Sequence, residues 1–292
     1  MGMVTIKNAL DEGIKLLKEH KAGTESIGFD NYALDANVLL CHILKKDKAY
    51  LIAHRDDEIP RDIYNEFLSL IKRRCAGEPV AYIINKKEFW DLTFYVDSRV
   101  LIPRPDTEVL VEYIIDNYKD KAVKILDIGT GSGAIAVTLK KHIKNARVFA
   151  LDVSGEALDV ARKNARLCGV EITFFQLDIL KEDLPDTYDI IVSNPPYIES
   201  RNIPRLIQDV RDFEPEIALD GGEDGLKFYR RIVDVSQTHL KDGGLLAFEV
   251  GFNQAEAVLS LMEGFYDKKT LKDLSGISRV VLGKKCPNQG NF

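Results

Sequence analysis

The stretch VKILDIGTGSGAIAVTLKKHI, residues 123–143, decides the architecture. It opens on an apolar, β-branched run that suits a strand buried on both faces. Glycines follow at 129, 131 and 133, and GAIAVTLKKHI continues with the composition of a helix. Glycine at alternate positions lets the chain turn sharply and removes Cβ atoms from the path of anything lying over the turn. The helix beyond points its free N–H groups at the same place. A bare strand-to-helix turn also accounts for these glycines.

Outward from this unit the pattern repeats. ARVFALDVS, EITFFQLDI, YDIIVSNPPY, GLLAFEVG and RVVLGK read as strands. GEALDVARKNARLCG, residues 224–240 and NQAEAVLSLM read as helices between them. Strands alternating with helices predict a parallel sheet covered on both faces, an α/β doubly wound fold. Ligands of such sheets bind outside the carboxyl ends of the strands, where the strand order switches.

Two cofactor classes suit the loop. Gly129-x-Gly131-x-x-Ala134, with Asp152 23 residues after Gly129, satisfies the loose dinucleotide pattern. Two details favour S-adenosylmethionine instead. Asp127 makes the motif D-x-G-x-G-x-G, and a carboxylate near the loop can face the ammonium group of a cofactor that has no pyrophosphate. Asp152 ends the second strand, where it can accept both ribose hydroxyls or cap the next helix. Asp178 ends the third strand, placed to approach an adenine or to cap a turn.

The fourth strand ends in Asn194-Pro195-Pro196-Tyr197. Two prolines stiffen the corner and leave its carbonyls without competing N–H groups. The Asn194 side-chain oxygen beside the Pro195 carbonyl gives two acceptors for the two hydrogens of a planar NH2 group, and Tyr197 can lie against its π-system. An amide or exocyclic amine is a poor nucleophile because its lone pair is delocalised. Acceptors on both hydrogens turn that lone pair toward an electrophile and stabilise the developing positive charge. Alignment of reactants lowers a barrier by ~7–11 kcal/mol in the best intramolecular cases. Each placed acceptor adds roughly 3 kcal/mol by analogy with oxyanion sites. The motif is specific for methyl transfer to nitrogen, and adenine, guanine and glutamine all carry a suitable NH2 group.

Residues 3 to about 77 read as a small helical bundle, with Ile6, Leu10, Ile14 and Leu17 on one stripe and Leu34, Val38 and Leu39 on another. VAYIINKKEFWDLTFYVDS reads as a hairpin or linker, and a helix starts near Thr107. The 292 residues are 45% apolar and carry a net charge of −6, which argues against a partner that needs a broad basic face. Within residues 1–85, 12 basic residues stand against 13 acidic ones, and Lys72, Arg73 and Arg74 read as a solvated helix face. No run reaches the ~18 apolar residues of a membrane span. The N-terminal stretch lacks a signal-peptide core. Cys41, Cys75, Cys168 and Cys286 are scattered, as expected of reduced thiols in a cytoplasmic protein, and neither cysteine nor histidine spacing suggests a metal site.

With these residues in place the chain resembles the HemK/PrmC family, the glutamine methyltransferases that modify peptide chain release factors. The likeness runs through GEPVAYI, KKEFW, VLIPRPDTE, DIGTGSGAIA, ALDVS, VSNPPYI, FEPEIALDGGEDGLKFYRRI, FEVGFNQ and DLSGISRVV. The resemblance implies a helical domain over 1–78 as a candidate for partner recognition, a hairpin linker over 79–98, and a seven-stranded methyltransferase domain over 99–292. It implies that Gly129, Thr130, Gly131, Ser132, Gly133, Asp152, Asp178, Ile179 and Asn194 hold S-adenosylmethionine. It implies that Asn194, Pro195, Pro196 and Tyr197 hold the glutamine of the release factor's Gly-Gly-Gln loop, with Asn194, Pro195 and Tyr197 catalytic. Asn85 stands where the family often has glycine, and asparagine tolerates a left-handed backbone. Ile179 stands where an aromatic residue often covers the adenine. Thr107 reads as a helix cap or a site residue, Arg104 as a contact to cofactor or partner, and Glu249 as a support of the corner or a salt bridge.

Other readings compete. Methylation of adenine or guanine in nucleic acid asks for a basic, aromatic groove. A non-catalytic cofactor-binding protein would not need Asn194. A nicotinamide dehydrogenase would not need NPPY. The expected partners are release factors, with no nucleic acid and no membrane, and a monomer is the default.

Overall fold

The computed structural model describes residues 4–21 and 31–287. The helical reading of residues 3–77 therefore includes positions, 3 and 22–30, that lie outside the described residues. The chain divides into two compact units: the first runs to Lys86 and includes Arg205–Glu214, and the second takes Lys87–Pro204 and the chain from Pro215.

In the first unit, β1 (Val4–Thr5) leads into α1 (Ile6–Lys21), followed by α2 (Tyr32–Leu44), α3 (Lys48–Ala53), β2 (Glu58–Ile59), α4 (Arg61–Cys75) and α5 (Val80–Ile83). The side chain of Asn31 caps α2, that of Asp47 caps α3, and Pro60 precedes the first turn of α4. Ile6, Ala9 and Leu17 bury against Leu39, Leu40, Phe67 and Ile71. The buried face of α2 is Ala36, Leu39 and Leu40, while Leu34, two positions off that face, is exposed. Only the later part of the expected hairpin is one. Pro79 presets a helical turn at Val80–Ile83, and Val80 and Ile83 join the helical core. Asn85 takes φ 50°, the left-handed conformation expected of a glycine substitute.

The second unit opens with the hairpin β3 (Lys87–Phe89) and β4 (Leu92–Phe94), then α6 (Asp106–Tyr118). Its sheet begins with β5 (Lys124–Ile128), α7 (Ala134–His142), β6 (Arg147–Asp152), α8 (Gly155–Cys168), β7 (Thr173–Gln176) and β8 (Tyr188–Ser193). The short helix α9 (Gln208–Arg211) lies in the segment that returns to the first unit. The second unit resumes with α10 (Lys227–His239), β9 (Leu240–Glu249), α11 (Ala255–Leu261), β10 (Phe265–Lys272) and β11 (Ser278–Lys285).

The seven strands lie in the order β10-β11-β9-β8-β5-β6-β7. β9, β8, β5, β6 and β7 are mutually parallel, whereas β11 runs antiparallel to both β9 and β10. The all-parallel expectation fails at this edge because only a short turn joins β10 to β11, and a parallel pair needs a long crossover. Leu126, Tyr188, Ile191, Tyr229, Leu246 and Phe248 pack into the main core. β5 and β8 are neighbours, but their connections leave toward opposite sides of the sheet. This is the switch point, and it brings Gly129 and Asn194 to one edge.

Candidate active site

The glycine loop folds back on β6. Gly129 and Thr130 both donate N–H groups to the Leu151 carbonyl, and Gly131 donates to Asp152 Oδ2 at 2.9 Å. All three loop glycines have positive φ, and a Cβ at Gly129 or Gly131 would meet nothing within 4 Å. The space beyond them is a cleft of about 790 Å³, counted to its solvent mouth. Asp152, Ile179, Asn194, Pro195 and Pro196 line it. Leu177, Phe228 and Ile232 add an apolar wall. A second cavity, of about 410 Å³, is lined by Arg104, Thr107, Thr130 and Ser132. Leu101, Gly129, Gly131 and Asn194 border both spaces.

Asp152 holds the loop as well as facing the cleft. Its Oδ1 accepts from the Ser154 amide at 3.0 Å, and burial raises its carboxyl above the usual range. Ser154, not Asp152, caps α8 with its side chain. Asp178 lines the cleft and also closes its own turn: Oδ1 accepts from Leu180 at 3.0 Å and Oδ2 pairs with Lys181 at 2.8 Å. The Lys181 ammonium group holds the Asp178 carboxyl below its ordinary value. Gly133 lines neither cavity; it heads α7 and donates its N–H to the Thr130 carbonyl.

Asp127 does not reach the cleft. It is 0% exposed beneath the loop, where its Oδ2 accepts the Thr130 hydroxyl at 2.6 Å. Burial pushes its carboxyl up to about 7. The expected contact with an ammonium group therefore gives way to bracing of the loop from below.

The corner after β8 is held from several sides. Ser193 donates its hydroxyl to the Ile128 carbonyl at 2.7 Å, joining the ends of β8 and β5. Asn194 Nδ2 faces Thr107 Oγ1 at 3.4 Å. Tyr197 lines neither cavity; its ring packs against the core beside Gly251, and burial pushes its hydroxyl up to about 12. Gln254 Nε2 donates to the Tyr197 carbonyl at 3.0 Å. Gly225 has to be glycine at this point: its φ is +71°, and a Cβ there would lie 2.4 Å from that same carbonyl oxygen.

Thr107 sits in the first turn of α6 but is not its cap, which is Pro105. Its hydroxyl and the Asn194 amide stand beside the carboxylate of Glu249, at the end of β9, and ease the cost of its charge against burial. Arg279 pairs with Asp106 at 3.0 Å and Asp273 at 2.9 Å nearby.

Three contributors escaped the sequence reading. Asn164 of α8 is wholly buried, exchanges hydrogen bonds with the Tyr95 backbone and donates to the Ser132 carbonyl. Gln254 anchors the corner, and Arg99, paired with Asp97, lines the larger cleft. A lone asparagine or glutamine on a helix carries no spacing signal. Asp97-x-Arg99 is also an ordinary local pair.

The residues present fit S-adenosylmethionine. Open space lies over Gly129 and Gly131, a carboxylate stands at the end of β6, and an apolar slot suits a purine beside Ile179. Strand order, glycine loop and NPPY corner together define the chain as a methyltransferase. Residues 8–84 match the PrmC N-terminal domain and residues 105–211 the methyltransferase small domain. The chain is 41% identical over 288 residues to the release factor glutamine methyltransferase of Clostridium acetobutylicum, covering 95% of this chain and 97% of that relative. The protein of the same name from Aliivibrio fischeri is 39% identical over 92% of this chain and 96% of its own length. A methyltransferase from Pyrococcus furiosus shares the fold, with a TM-score of 0.50 and 20% identity over 75% of this chain and 98% of its own. The chain belongs to the release factor glutamine methyltransferase family.

Proposed function

We propose that the protein transfers a methyl group from S-adenosylmethionine to the side-chain amide nitrogen of the glutamine in the Gly-Gly-Gln loop of a peptide chain release factor. The names of its relatives support this substrate. The observation that carries the chemistry is the place of Asn194: it borders both cavities, with its Nδ2 turned onto Thr107. That leaves Oδ1 as the end of the amide that can accept from a substrate.

When bound, S-adenosylmethionine supplies an electrophilic methyl group on a sulfonium centre. Gly129, Thr130, Gly131 and Ser132, with Asp152, Asp178 and Ile179, hold the cofactor, and Gly133 turns the loop into α7. Asn194 Oδ1 and the Pro195 carbonyl receive the two hydrogens of the glutamine amide and fix its plane. Pro196 stiffens the corner, and Tyr197, packed beside Gly251, steadies it. Charge growing on the nitrogen meets two oriented acceptors at roughly 3 kcal/mol each. The nitrogen then sheds its proton without a strong base. The helical domain over 1–78 serves partner recognition, 79–98 is the linker, and 99–292 carries the reaction. The enzyme acts in the cytoplasm, as a monomer, and needs no nucleic acid.

The test is incubation with methyl-labelled S-adenosylmethionine and, in separate tubes, a release factor, the same factor with its loop glutamine changed to alanine, and DNA or RNA. Label is expected in the intact factor alone. Equal labelling of the altered factor, or labelling of nucleic acid, overturns the assignment.

A further inference from the structure

We propose that Glu249 is a positioning residue that sets the side-chain amide of Asn194, so that Oδ1 and not Nδ2 faces the acceptor nitrogen. This rests on the proposed reaction and adds a residue to it.

The two ends of an asparagine amide are nearly the same shape, and only hydrogen bonds decide which way it points. A flipped Asn194 would present its own NH2 to the NH2 group of the substrate, donor against donor, and the site would lose one of its two acceptors. The surroundings prevent this through their donor count. An ionised carboxylate has no proton to give, Thr107 has one and the Asn194 amide has two. With Glu249 ionised, its carboxylate is an acceptor beside both the Thr107 hydroxyl and the Asn194 amide, and Thr107 Oγ1 remains able to accept from Nδ2 at 3.4 Å. The network then has one direction, from Asn194 and Thr107 into Glu249, and Oδ1 is left for the cleft.

Glu249 is built for this and for little else. It is 2% exposed, and its Oε2 has no hydrogen-bonding partner among the described residues. A buried carboxylate with spare acceptor capacity is costly to keep. Arg279, a cation that acts on it, is already engaged with Asp106 and Asp273. Around the carboxyl stand Asp106 at the start of α6, Arg279 on β11, Tyr197 after β8 and Tyr229 on α10; the Tyr229 hydroxyl donates to the Glu249 carbonyl at 2.9 Å. Arg104 also acts on Tyr197 through its charge. Burial, with Asp106 adding to it, pushes the Glu249 carboxyl up to about 7. Below that pH a protonated Glu249 becomes a donor, and the one-way order of the network is lost.

The experiment compares the full-length wild type with Glu249→Gln, measuring kcat and KM for a release factor from pH 5.5 to 9, and cofactor Kd by calorimetry. Wild-type kcat is expected to fall as pH drops through about 7. At pH 8.5 Glu249→Gln is expected to lose ~10–100-fold in kcat, somewhat less than removal of a direct transition-state contact. Its KM and cofactor Kd should stay within about threefold, and its kcat should be flat with pH over the range where the wild type falls. Thr107→Val and Thr107→Ser repeat the test without touching a buried charge: Thr107→Ser, which keeps the hydroxyl, should turn over faster than Thr107→Val. The inference is overturned if Glu249→Gln keeps wild-type kcat with the same pH profile, or if kcat and cofactor affinity fall together. Asn194→Ala separates the two levels. If that variant is slow while Glu249→Gln is not, only this inference falls; if Asn194→Ala turns over normally, the proposed site falls with it.

Discussion

Asn194 Nδ2 lies 3.4 Å from Thr107 Oγ1, a contact between residues 87 positions apart in the chain. It joins the first turn of α6 to the corner after β8. Both residues border the smaller cavity, and Asn194 alone of the two also borders the larger one. The corner is therefore held in place from the PRP-x-TE segment as well as by the stiffness of its prolines. Two motifs 87 positions apart in the methyltransferase half of the sequence act at one point.

Asn194→Ala removes one acceptor from the substrate side and leaves the loop glycines and Asp152 untouched. Cofactor affinity is expected to stay within about threefold, and methyl transfer to slow at least ~10²-fold. Calorimetry and single-turnover labelling measure the two quantities separately. Equal turnover in the variant would defeat the mechanism.

Asp152→Ala should weaken cofactor binding by at least about tenfold, since hydrogen bonds to a charged group contribute ~1.5–3 kcal/mol each. The structure adds a second loss, because the same carboxylate accepts from Gly131 and Ser154 and so shapes the loop. Calorimetric titration checks it, and an unchanged Kd would remove Asp152 from the site.

Much of this was legible in the sequence for definite reasons. β5 and β8 are apolar runs ending in glycine or proline signals, and the helices between strands carry their own periodicity. β10 was not legible. Its sequence, FYDKKTLK, buries Phe265 and little else, as suits an edge strand whose lysines discourage further pairing. The direction of β11 was equally hidden, because composition does not encode whether a strand runs parallel. Nor did the sequence reveal that Arg205–Glu214 belongs with the helical unit. Its anchor is a pair of residues 135 positions apart, Arg74 and Asp209. Arg74, expected on a solvated face, is 11% exposed and bridges Asp35 at 2.7 Å and Asp209 at 2.6 Å.

Arg74→Ala tests that anchor. Removing the guanidinium leaves two partly buried carboxylates without the cation they share, at a cost of roughly 3 kcal/mol. Amide exchange in α1, α2 and α4 should accelerate by about a hundredfold, while β5 and β8 keep their protection. If the helices exchange as slowly as in the wild type, the bridge does not hold the inserted segment.

Asp127→Asn gives a prediction whose sign depends on pH. Burial dominates at this carboxyl and Asp152 adds to it, outweighing the Thr130 hydroxyl and the Ala136 amide, so its folded-state value of about 7 lies above the ordinary value of 3.8. A group raised in this way binds its proton more tightly in the folded chain. Its contribution to stability is complete below about pH 4 and is lost progressively as pH rises through about 7. Asparagine does not titrate, and its Oδ1 can still accept the Thr130 hydroxyl. The Tm of the variant relative to wild type should therefore rise between pH 5 and pH 8, by about 2–4 °C for each kcal/mol of charge burial relieved. Differential scanning calorimetry at the two pH values measures this. A Tm difference that stays constant, or that shrinks toward pH 8, would show that Asp127 is ionised at little cost beneath the loop and is not the strained brace its burial implies.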